Sequence, residues 1–154
     1  MTDPVNVNFV TIAEAVSKLA ISGVIVQNIN KLPASAAPLT AALMPRPNGF
    51  VSDFGITVDS LGSGGNQQMT LTYTLNYNYY HCPIGSTLDF GSYAAMIGNI
   101  AKILVALLSN DVLAGAIDQL PTVSDVGPIQ DSIGNDYHGC TFALRVTQYS
   151  EVDK

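Results

Sequence analysis

The chain has no tryptophan, two cysteines and six basic residues in 154. Charged residues make up 12% of it, about half of the roughly 25% usual in globular proteins. Much of the surface must then be covered by Thr, Asn, Ser, Gln, Tyr or apolar side chains, a composition that suits a partner. Six Lys and Arg stand against twelve Asp and Glu, giving a formal charge of −6 and a pI near 4.4. That balance disfavours nucleic-acid binding by phosphate neutralisation and adhesion to anionic membranes. No uninterrupted run approaches the roughly 18 apolar residues of a spanning helix, so a soluble protein without a membrane partner is expected. The opening MTDPVNVNF lacks the basic start and apolar core of a secretory signal. A reducing cytoplasm is therefore the expected site of synthesis, with Cys82 and Cys140 as free thiols.

What is present suits one domain over residues 1–154, long enough for one sizeable core. Thr11 and Glu14 have capping-box spacing, and Ile12, Ala15, Val16, Leu19 and Ala20 follow at helical intervals. A short helix is expected there, ended by Gly23 and followed by a β-branched strand over 24–29. Residues 33–53 hold Pro33, Pro38, Pro45, Pro47 and Gly49 and read as a long loop, of the kind that is functional or mobile.

Residues 55–61 read as a strand that turns through 62–66 into the clearest strand of the chain. There Met69, Leu71, Tyr73, Leu75, Tyr77 and Tyr79 alternate with Thr70, Thr72, Thr74, Asn76, Asn78 and Tyr80. No Asp, Glu, Lys or Arg occurs between Asp59 and Asp89, although exposed strands normally use charge to discourage edge pairing. Either neighbouring strands of the same domain or another subunit covers this uncharged hairpin. Ser92 can cap a helix over 93–109 whose apolar positions span much of its circumference and whose one charge is Lys102. A short second helix over 111–120 and strands over 126–132 and 140–149, joined by a turn at Gly134-Asn135-Asp136, complete the pattern. The fold class expected is α+β, a mainly antiparallel sheet of about four to five strands with two main helices on one face.

A search for chemistry finds little. His81-Cys82 and His138-Gly139-Cys140 supply metal-ligand types, but adjacent strand residues point to opposite faces, so one ion would need a bulge near Pro83 to gather them. Neither cysteine has a Lys or Arg neighbour in sequence to lower its pKa. Asp131 and Asp136 flank a turn, where acids commonly cap backbone. Gly62, Gly64 and Gly65 precede a strand and lack a following Lys-Ser or Lys-Thr pair, unlike a phosphate loop. No catalytic residue, metal or cofactor is assigned, and the expectation is a protein that is not an enzyme. Thr72, Thr74, Asn76 and Asn78 on the polar hairpin face, with Lys102 on the apolar helix, are the candidate subunit-interface residues.

The order of elements resembles the tail terminator proteins of long-tailed bacteriophages. So do the stretches Met44-Pro45-Arg46-Pro47-Asn48-Gly49-Phe50, Leu71-Thr72-Tyr73-Thr74-Leu75-Asn76-Tyr77 and Gly134-Asn135-Asp136-Tyr137-His138-Gly139-Cys140. The resemblance covers most of the chain. It implies a structural virion protein, assembled in the host cytoplasm, that forms a homohexameric ring at the head-proximal end of the tail. Such a ring ends tube polymerisation, and its partners are further copies of itself, the tail-tube protein and the head-side connector. DNA would only pass through the lumen, which the acidic balance would help by repulsion. Another neck or head-completion protein and a tail-tube subunit are the neighbouring alternatives. A small-ligand-binding domain with the Tyr-rich hairpin as pocket wall is the alternative of a different class.

Overall fold

The computed structural model describes residues 4–26, 40–60, 67–84, 90–117 and 120–152. It is an α+β fold with a six-stranded, mostly antiparallel sheet and three helices. In chain order the elements are α1 (Pro4–Ser17), β1 (Ile25–Val26), β2 (Ala42–Pro45), β3 (Val51–Ser60) and β4 (Gln67–Pro83). They continue with α2 (Phe90–Ser109), α3 (Asp111–Ala116), β5 (Thr122–Gln130) and β6 (Asp136–Val152).

The alternating run expected around residues 69–80 is β4, and it is the spine of the sheet. Along one edge it pairs antiparallel with β6 from Gln67↔Val152 to Pro83↔Tyr137. Along the other edge it pairs first with β3, then with β2, which in turn carries β1 in the one parallel pairing among the described residues. β5 closes the far edge against β6. Gly139 faces β4 where the register shifts between Tyr80 and Cys82, and a Cβ at this position would run into the Tyr79 carbonyl. Only glycine lets the two backbones meet there.

The apolar side chains of β4 and β6 point to one face and build the main core. Tyr73, Leu75, Tyr77 and Tyr79 lie beside Cys140, Phe142, Leu144 and Val146. Ile12 and Val16 of α1, Ile103 and Leu107 of α2 and Leu113 of α3 cover them. Burying each such side chain stabilises the fold by roughly 1.5–3 kcal/mol before entropy is counted. Asn110 caps α3, its Oδ1 accepting from the Leu113 N–H at 3.0 Å. A smaller core of Met44, Tyr80, Ile129 and Tyr137 lies on four different strands.

Several local expectations change. α1 starts at Pro4 and not after Thr11, because a proline in the first turn fixes φ and loses no intrahelical bond. The expected strand over 24–29 is described only at Ile25–Val26, and residues 27–29 lie outside the described residues, as does the 62–66 turn. The expected loop over 33–53 contains β2 and the start of β3. Short and ending in Pro45, β2 owes its strand state to pairing with β4 and not to local propensity. The last strand starts at Asp136, earlier than 140.

α2 brings a further correction. Over Gly91–Ser109 its mean hydropathy is 1.5, and by length and composition alone it is long enough to cross a membrane, with 17% of that stretch buried. Ser92, Asn99 and Lys102 interrupt the apolar sequence, so a search for an unbroken run passes over it.

Candidate assembly surfaces

β2 and β3 behave as one strand along the edge of β4, interrupted by an outward excursion over 46–50. Pro45 is opposite Tyr77 and Val51 is opposite Leu75, with Asn76 between. The Asn76 backbone bridges the gap: its carbonyl accepts from the Arg46 N–H at 2.9 Å and its N–H donates to the Phe50 carbonyl at 2.8 Å. Its side chain Nδ2 donates to the Gly49 carbonyl at 3.0 Å and to Ser52 Oγ at 2.9 Å. Pro47 presets its φ and Asn48 adopts a left-handed φ of 56°, so the excursion turns back at once.

Opposite the helices, the polar side of β4 is also closed over by its own chain. Thr141 Oγ1 donates to Asn78 Oδ1 at 2.8 Å, and Asn78 Nδ2 donates to Tyr80 Oη at 3.0 Å. Tyr80 Oη donates to the Gln130 carbonyl at 2.8 Å, and burial pushes the phenol up to about 12. Arg46, beside β2, reaches Asp125 of β5 at 3.9 Å. These elements stand three strand spacings apart, about 14 Å in a flat sheet, so the contact is made by the side chains reaching across β4 and β6. Between them is a groove of about 590 Å³ floored by Asn78 and Thr141. Left-handed Asp125 (φ 52°) and Gly127 (φ 141°) shape its β5 wall at the register shift between Ser124 and Gly127.

Of the five candidate interface residues, three turn inward. Thr74, Asn76 and Asn78 are 7%, 8% and 3% exposed. Asn76 and Asn78 spend their amides on the excursion and on Tyr80. The partners of Asn76 and Asn78 belong to the same chain, and all three side chains are buried within it. Thr72 is half-buried, and Lys102 is exposed, with its Nζ 3.4 Å from the Ser22 carbonyl.

The uncovered apolar surface lies elsewhere. On β3, Phe54, Ile56 and Val58 are 57%, 52% and 57% exposed, with Phe54 stacked on Tyr73. On α2, Ile97 and Val105 are 63% and 61% exposed, and Tyr93 and Leu108 are exposed beside them. A groove of about 560 Å³ runs between α2 and residues 20–22, lined by Ala20, Ile21, Ala101, Lys102, Val105 and Ala106. The sequence signalled the second surface through the breadth of the α2 apolar stripe. It missed the first, because alternation within β3 reads the same whether or not anything covers it.

The residues considered for chemistry occupy structural positions. Tyr79 Oη accepts from Asn99 Nδ2 at 2.8 Å and lies 2.7 Å from His81 Nδ1, a hydrogen bond whose direction follows the imidazole tautomer. Burial lowers the His81 pKa, a hydrogen bond to the Ser92 backbone raises it and the nearby His138 lowers it further. Burial pushes the Cys140 thiol up to about 12 and raises Cys82 too, away from the thiolate a nucleophile needs. A register shift lies between Tyr80 and Cys82, and Cys82 pairs across the sheet with His138. Among the described residues no three His, Cys, Asp or Glu side chains form a group able to hold a metal. Asp131 caps the β5–β6 turn, its Oδ1 accepting from the Ile133 and Asn135 N–H groups at 3.0 and 2.9 Å. Burial raises its pKa, and this is outweighed by those bonds and by the Tyr137 hydroxyl, for a net lowering. Comparison of the chain with protein-family models and with curated proteins gives no match.

Proposed function

We propose that the protein is a structural subunit of a bacteriophage tail, a tail terminator that closes into a ring at the head-proximal end of the tail tube. One observation carries the reading beyond the sequence resemblance: two separate apolar surfaces, on β3 and on α2, stand uncovered in one small chain. A head-to-tail contact needs two different patches per subunit, and repetition of such a contact closes a ring or extends a filament. Ring formation needs no chemistry, and the raised thiols and tied imidazole of His81 supply none that the reading must explain. In this role the ring stops tube growth, meets the head connector on its other side and lets DNA pass through the lumen. The formal charge of −6 would oppose DNA adhering to the ring.

Light scattering after size-exclusion chromatography, over a concentration series and with negative-stain images, tests the proposal. Discrete rings that halt the growth of tail tubes are the expected result. Unlimited filaments would move the assignment to a tube subunit. A monomer that neither assembles on tubes nor stops them would overturn it. The polar groove over Asn78 and Thr141 favours a second reading, a small-ligand-binding domain. That reading requires saturable thermal stabilisation of the monomer by a polar small molecule, weakened by Thr141→Val.

A further inference from the structure

We propose that β3 of one copy docks on the outer face of α2 of the next, with Phe54, Ile56 and Val58 set against the groove between α2 and residues 20–22. This deepens the ring assignment and rests on it. Charge selects the occupant. β3 and β4 together carry Asp53 and Asp59 and no Lys or Arg; Asp53 is exposed at the bulge next to Phe54, while Asp59, paired with Gln68, lies on the opposite face from Ile56 and Val58. The groove has one charged lining residue, Lys102. Its ammonium has three donors, one of them directed at the Ser22 carbonyl, leaving two for a carboxylate.

The symmetric alternatives are worse matched. Pairing β3 with β3 through the stripe sets acidic strands with no base against each other, with Asp53 beside each stripe, and pairing α2 with α2 brings two Lys102 side chains together. Pairing β3 with α2 puts acid beside base and covers both apolar surfaces with one kind of contact. Because each subunit offers one strand and one groove, the contact is head-to-tail and propagates until the ring closes. Asp53 helps to present the stripe: its left-handed φ of 53° marks the bulge between Ser52 and Gly55, next to exposed Phe54.

Two variants that each disable one surface provide the test. Phe54→Asp removes the strand side and Val105→Arg blocks the groove. Both positions are exposed, so folding should change little, with unfolding midpoints close to that of the unaltered protein. Each variant alone is expected to be monomeric by light scattering. Their equimolar mixture is expected to give a one-to-one dimer and nothing larger, since the intact strand of one meets the intact groove of the other and no further contact remains. If the unaltered protein forms rings and both variants still do, this contact is overturned while the ring assignment stands. Rings from the unaltered protein with no dimer from the mixture overturn it in the same way. A chain that remains monomeric at its highest attainable concentration and gives no cross-link between Ile56→Cys and Val105→Cys copies overturns the contact. If that chain also fails to close on tail tubes, the ring assignment falls with it. Co-sedimentation of the unaltered protein with phosphatidylcholine vesicles, abolished by Val105→Arg, would assign the α2 face to lipid and overturn the proposal.

Discussion

At the scale of single residues, polar side chains of β4 hold the fold together where an interface was expected. Asn76 is nearly buried and bridges the gap between β2 and β3 with two side-chain bonds. Asn76→Ala should therefore lower unfolding free energy by about 1–3 kcal/mol in denaturant titration, even in a protein kept monomeric. A charge at Thr74 or Asn76 should damage folding before assembly, the reverse of what the sequence suggests. Tyr77 presents the opposite case: its hydroxyl is buried without a hydrogen-bond partner, and burial raises its pKa. Tyr77→Phe should leave stability unchanged or raise it by about 1 kcal/mol, measured the same way. His81 gives the fold a pH dependence. Its folded pKa lies below the unfolded value of about 6.5, so the unfolded chain takes up the proton first. The His81 contribution is complete above about pH 6.5 and declines as pH falls through the lower folded pKa. Thermal midpoints measured from neutral to mildly acid pH should fall, and less steeply in His81→Gln.

Among the elements, α2 is divided between two tasks. Ile103 is fully buried against the sheet and Val105 is mostly exposed. Ile103→Ala should cost about 2–5 kcal/mol, whereas Val105→Ala should change monomer stability by about 0.5 kcal/mol or less, a contrast that chemical denaturation can measure. The breadth of the α2 apolar surface was legible because helical spacing fixes which residues share a face. The main stripe through Ala94, Ile97, Ala101 and Leu108 is nevertheless exposed, and the sheet is met by Ile103 and Leu107. The alternation of β4 was legible for the same kind of reason. β2 was not, since four residues ending in a proline carry no periodic signal and their pairing partner lies more than thirty positions away. Nor could alternation reveal that Asn78 is buried. That depends on Thr141 and on the reach of Arg46 to Asp125, contacts between distant parts of the chain.

For the whole molecule, charge sets how readily copies meet. Two bodies of charge −6 held about 30 Å apart repel by about 5 kcal/mol in unscreened water. At about 0.01 M ionic strength roughly a third of that persists, and at about 0.15 M almost none. A surface pair such as Asp53 with Lys102 offers at most about 1 kcal/mol in the other direction. Screening of repulsion wins, so raising salt over that range should strengthen association about tenfold, measured as the concentration at which larger species appear in light scattering. The class of the fold and the absence of strong positive charge could be read from composition and pattern. The placement of the uncovered surfaces could not, because exposure depends on where the helices end relative to the sheet.

The interrupted edge strand also bears on what the chain can accept. Ladder bonds pin both flanks of the 46–50 excursion, to Tyr77 on one side and Leu75 on the other. Extra residues inserted between Pro47 and Asn48 would lengthen the excursion without shifting the register of either flank. The entropic cost grows slowly, about 0.6 kcal/mol for each doubling of loop length. This tip is accordingly a place to graft a fluorophore-binding tag or an epitope, displayed at every subunit of whatever the protein builds.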